Sequence, residues 1–119
     1  MDMLKAIEIM LDQAKADYKR WNTESNGTIP EVRENMIKEF NEGLEIKDSP
    51  RQKFIKIIKK ERSGSQSVWG FINKKDFKHF KKGDILKAAS FNSPALNKAR
   101  GNIFVPGYKV RWTGPEYLI

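Results

Sequence analysis

Cysteine is absent from this chain of 119 residues, and histidine occurs once, at His79. The first shortage excludes disulfides, zinc–thiolate sites and thiol nucleophiles, and it suits a reducing cytosol. The second leaves any Ser-His-Asp triad dependent on His79, and no Gly-x-Ser-x-Gly elbow accompanies it. Neither the phosphate-cradling P-loop nor the Gly-x-Gly-x-x-Gly dinucleotide fingerprint is present. No apolar run approaches the ~20 residues of a membrane span. Asp2, Lys5, Glu8 and Asp12 interrupt the stretch where a secretory signal needs an apolar block. Carboxylates are scarce after residue 50, where only Glu61, Asp76, Asp84 and Glu116 occur. Paired acids for acid–base chemistry therefore have little to draw on. These shortages favour a binding protein over an enzyme, with no cofactor, no metal and no membrane partner.

What is present is charge, unevenly spread. Residues 1–50 carry 7 Lys and Arg against 11 Asp and Glu, a net of −4, whereas residues 51–119 carry 16 against 4, a net of +12. The basic half should attract nucleic acid, nucleotides or another polyanion. Thirteen aromatic residues (Phe 7, Tyr 3, Trp 3) argue for a folded chain. The length fits one domain spanning 1–119, an acidic helical part (1–48) joined to a basic β-rich part (51–119). Neither part alone would hold an adequate core.

Leu4, Ile7, Leu11, Ala14, Tyr18 and Trp21 recur at alternating spacings of three and four, which predicts an amphipathic helix over 3–22. Its stripe suits packing on the chain's own sheet or on a second subunit. Asn26-Gly27 breaks it. A second helix is expected from about Thr28, where Thr28 and Glu31 form a capping box and Pro30 falls in the first turn. Val32, Met36, Ile37, Phe40 and Leu44 make its apolar face, with Gly43 as the stop. Isoleucines and lysines interleaved from Lys53, a Ser63-Gly64-Ser65 turn and the run Val68–Ile72 predict a β-hairpin over 53–72. Residues 74–82 read as a basic loop and Ile85–Ala89 as a strand. Ser93-Pro94-Ala95 suggests a short helix ended by Gly101. Pro106-Gly107 suggests a turn between strands Ile103–Val105 and Tyr108–Trp112. The expected class is α+β: two N-terminal helices packed on a small, mainly antiparallel sheet.

The segment 82–104 concentrates cations, amides, hydroxyls and small residues. Lys87, Lys98 and Arg100 suit phosphate, and Ser90, Asn92, Ser93, Asn97 and Asn102 suit sugar hydroxyls or base edges. Phe91 offers a stacking face, and a helix start at Ser93-Pro94 would offer an anion site. Each has a plainer role. Phe91 serves as well in a core, Asn92 or Ser93 as a cap, and Arg100 as a partner for a carboxylate of the acidic half. Trp69 and Trp112 suit a core or an interface. Loop 74–82 suits a solvated surface, although cations interleaved with aromatics also mark single-strand binders.

The stretches KKGDILKAASFNSPALNKARGNIF and YKVRWTGPEYL resemble small proteins of bacteriophage and prophage genomes, in particular the first-described family of anti-Thoeris sponges. The resemblance extends to ADYKRWN and EVRENMIKEFN near the N-terminus. It implies a protein that counters bacterial anti-phage defence in the host cytoplasm by sequestering a cyclic nucleotide signal, glycocyclic ADP-ribose, without cleaving it. Some members also hold cyclic oligonucleotides. It implies a homo-oligomer, dimeric or higher, with pockets near subunit contacts; whether Tyr18 and Trp21 reach a neighbour's pocket is left open by the sequence. The matching site residues are Phe91, Asn92, Arg100 and Arg111, then Asn97 and Asn102, with Lys87 and Ser90 from the residue-level reading. The alternative is a basic phage protein that binds nucleic acid or inhibits a host nuclease complex, as anti-CRISPR proteins do.

Overall fold

A computed structural model describes residues 2–24 and 30–115. Helix α1 (Met3–Glu24) is followed by α2 (Pro30–Gly43), then strands β1 (Leu44–Lys47), β2 (Phe54–Lys60), β3 (Gln66–Asn73) and β4 (Ile85–Leu86). Strands β5 (Val110–Arg111) and β6 (Gly114–Pro115) form a separate pair. The four-stranded sheet runs β1-β2-β3-β4, antiparallel throughout, so the class is α+β. No described helix is long and apolar enough to cross a membrane.

Helix α1 starts because Asp2 caps it, its Oδ1 accepting the Lys5 N–H at 2.9 Å. Its buried arc is Ala6, Ile7, Met10, Leu11, Ala14 and Tyr18. Leu4 and Trp21, expected on the same stripe, are 55% and 43% exposed. A 3.5-residue repeat drifts about 20° per heptad on a straight 3.6-residue helix, so the ends of the stripe turn away from the core. Ile7 and Met10, fully buried, pack with Ile55, Ile57, Trp69 and Ile72 of the sheet. Each such side chain contributes about 1.5–3 kcal/mol of burial. Phe40 of α2 stacks on Tyr18 with ring centroids 4.4 Å apart. The capping Thr28 lies outside the described residues.

Gly43 ends α2 as expected, and Leu44, placed by its spacing on the helix face, instead opens β1. A Cβ on Gly43 would run into the Lys60 carbonyl oxygen, so only glycine lets helix and sheet meet there. The expected hairpin forms, with β2 starting one residue later, at Phe54, and β3 running past Val68–Ile72 at both ends. The register shifts between Ile57 and Ile58, where Trp69 is the extra residue on β3. This bulge aims the Trp69 indole to the helix side, its Nε1–H donating to the Arg111 carbonyl at 3.1 Å.

Beyond β4 the expectations fail locally. Residues 93–101 form no helix. Two of their backbone donors are taken by β4 and the residue that follows it: Arg100 N–H bonds the Ile85 carbonyl and Ala95 N–H the Lys87 carbonyl, at 2.8 and 2.7 Å. The helix-start anion site at Ser93-Pro94 therefore does not exist. Strand β4 stops at Leu86 instead of Ala89, leaving Ala88 in an isolated bridge with Pro94. Ile103–Val105 is a turn, and the C-terminal hairpin folds at Trp112-Thr113 instead of Pro106-Gly107. Gly107 still takes the positive φ its turn requires, 100°.

Candidate ligand-binding cleft

Alternation along β2 gives the sheet two unlike faces. Ile55, Ile57 and Lys59 point to the helices, and Phe54, Lys56 and Ile58 to the opposite side. On that second side Phe71, Phe80 and Leu86 form a small core, roofed by Phe77, Ala88 and Ala99. The roof stops short of the β1–β2 end. There Phe54, Ile58 and Phe71 floor a cleft of about 540 Å³. Its polar lining is Lys47, Asp48, Ser49, Gln52, Lys56, Gln66 and Asn92, and Phe91 forms a wall.

A tight turn puts Phe91 and Asn92 there. Ser90 N–H bonds the Ser93 carbonyl at 3.1 Å and Ala89 N–H the same carbonyl at 2.9 Å, so the two residues project from the tip. Lys56 reaches both. Its Nζ donates to Asn92 Oδ1 at 2.9 Å and lies 4.3 Å from the Phe91 ring centroid. Phe91 remains 46% exposed. Asp48, the carboxylate of the lining, pairs with Lys74 Nζ at 2.7 Å. Such a site offers an aromatic face, a movable cation and amide groups above an apolar floor.

The other expected site residues lie elsewhere. Ser90 is exposed in the turn beside the cleft but does not line it. Asn97 Oδ1 accepts from the Lys98 N–H at 2.6 Å and from Arg100 Nη1 at 3.1 Å, so Asn97 and Arg100 brace one loop. Arg100 also donates to the Lys98 carbonyl, and burial lowers its pKa. Lys87 Nζ donates to the Pro115 carbonyl at 3.0 Å, and burial, then the Arg100 charge, hold its pKa below the usual lysine range. Asn102 is a brace as well, donating to the Lys82 carbonyl and Asp84 Oδ1 and accepting the Phe104 N–H. Arg100 and Asn102 share a second, more open hollow with Tyr108. Burial raises the Tyr108 pKa. Arg111 lies by Asp17, Arg20 and Lys109. Of the eight expected residues, the cleft thus brings together Phe91 and Asn92.

Lys56, Lys47 and Gln66 were not anticipated. The available signal was a lysine two residues from Phe54 and two from Ile58, which puts a cation in an apolar strand face. Tyr18 and Trp21 pack against Trp112 of their own chain, with centroids 5.0 Å from it in each case. Among the described residues no cluster of three or more His, Cys, Asp or Glu is placed to hold a metal.

Residues 1–114 match the model of a family of unknown function (DUF7717). Searches of curated proteins and of solved structures find no match to the chain.

Proposed function

The chain belongs to that family of unknown function, and we propose from its cleft that it binds a nucleotide and holds it intact. The observation that carries this reading is Lys56, set between Phe91 and Asn92 at the mouth of an apolar-floored cleft. A base stacks on Phe91, its edge meets the Asn92 amide, and a phosphate draws the Lys56 ammonium away from its present partners. Lys47 adds a second cation, although it shares Glu45, at 2.7 Å. Gln52, Gln66 and Ser49 suit ribose hydroxyls. The pairing of Asp48 with Lys74 supports binding without chemistry.

In its finer form the proposal follows the resemblance: a homo-oligomer that sequesters a cyclic nucleotide immune signal of the glycocyclic ADP-ribose type in the bacterial cytoplasm. Exposed Leu4 and Trp21 on α1 support self-association. The test is mass spectrometry of small molecules released by heat after incubation with cyclic nucleotides and ADP-ribose isomers. One intact, stoichiometric ligand, lost in Phe91→Ala, is the expected result. A cleaved product would make the protein an enzyme, and no ligand would sink the proposal. The alternative of a nucleic-acid partner is separated by salt. A polynucleotide groove loses affinity steeply, with a log–log slope of roughly −0.7 per phosphate contacted on a single strand.

A further inference from the structure

The β1–β2 loop forms one rim of the cleft, and behind that rim lies a second hollow of about 330 Å³. Gln52 lines both. So does one aromatic cluster: Phe54 of the cleft floor meets Phe77 of the second hollow edge to face, with centroids 6.2 Å apart. The saddle between them is fixed. Lys74 Nζ, on the far side, donates to Asp48 Oδ1 at 2.7 Å and to the Ser49 carbonyl at 3.0 Å.

The far hollow has cations to spare. Arg51, Lys53 and Lys75 line it, and among the described residues no carboxylate lies within ion-pair distance of any of them. Lys53 and Lys78 hold their ammonium groups 5.3 and 5.7 Å from the Phe77 ring centroid, as Lys56 does at Phe91. Asp76 is the one acid in the lining, and its Oδ1 is committed to the Lys82 N–H at 2.7 Å. The wall is firm because the side chain of Asn73, 1% exposed, donates to the carbonyls of both Lys75 and Lys81.

We propose that this hollow is a second subsite, which takes the second unit when two nucleotides are joined through phosphate. One base lies on Phe91, the linking phosphate crosses the Gln52 saddle, and the next nucleotide lies among Arg51, Lys53, Lys75 and Phe77. The inference rests on the reading of the first cleft as a nucleotide site.

Calorimetric titration with adenosine monophosphate and with the 5′-phosphorylated adenosine dinucleotide tests it. The dinucleotide should bind about tenfold more tightly, near the low end for one further stacked base. Its affinity should also fall more steeply with salt, the slope differing by roughly 0.7 for the added phosphate. In the Lys53→Ala/Lys75→Ala double variant both differences should vanish while monophosphate affinity stays at the parent value. Equal affinity of the two probes for the parent, or an advantage that survives in the double variant, overturns the second subsite. Monophosphate affinity unchanged in Phe91→Ala would instead sink the reading beneath it.

Discussion

Two lysines three residues apart on β2 make the same contact on opposite faces of the sheet, with opposite consequences. Lys59 lies 5.4 Å from the Phe40 ring centroid and 5.0 Å from that of Trp112. Lys56 lies 4.3 Å from Phe91. Phe40 is 4% exposed and stacks on Tyr18, so Lys59 fastens rings that are already packed. Phe91 is exposed on a turn, so Lys56 sits over a ring that is open to solvent. A cation over a ring therefore does not mark a binding site. The state of the ring decides, because only an exposed one leaves room for something to replace the lysine.

The contrast is broken most forcefully at the packed end. Phe40→Ala should remove the stack beneath Lys59 and destabilise the fold by about 3–5 kcal/mol, as buried aromatic truncations do. Chemical denaturation would read this, and a loss under 1 kcal/mol would mean that the aromatic box is ornamental. The lysines themselves give the sharper comparison. Lys56→Ala should weaken nucleotide binding by about tenfold, or ~1.4 kcal/mol, with an unchanged denaturation midpoint. Lys59→Ala should leave binding alone and lower stability by about 0.5–1 kcal/mol. If the two variants exchange these phenotypes, the faces have been assigned the wrong way round.

The smallest effect concerns the surface near Lys47. Hydrogen bonds from Lys47 and then Lys60 hold the Glu45 carboxyl below its usual value of 4.5. The folded value is the depressed one. The stabilisation is therefore complete above the unfolded pKa near 4.5 and fades as pH falls through the folded one. Thermal melts from pH 5 downward should show Glu45→Gln losing less stability than the parent. Parallel curves would remove Glu45 from the acid response.

The sequence made the helices and the hairpin legible because their partners are near at hand. Ile7, Met10 and Leu11 obey a local period, and the β2 isoleucines alternate with lysines around a Gly64 turn. Residues 88–105 were opaque for the opposite reason. Ser93-Pro94 carries a helix-start signal, but the Arg100 and Ala95 amides find acceptors on Ile85 of β4 and on Lys87 just beyond it, and no local signal announces that edge. The site was half legible. Phe91 and Asn92 stood out by type, whereas Arg100 and Asn102 had the right chemistry and turned out to be occupied in holding loops. Lys56 was hidden by its ordinary place in a strand, since which face of a sheet stays uncovered depends on where distant loops stop.

The joint between α2 and β1 has no connecting residue at all, since Gly43 ends one and Leu44 begins the other. One residue inserted there would rotate the helix against the strand by about 100°. Phe40 would swing away from Tyr18, or the Leu44↔Lys59 register would slip. Deletion would be no gentler, because Gly43 already touches β2. Changes of chain length between homologous sequences must therefore be absorbed in the loops, and this junction should keep its spacing wherever the fold is kept.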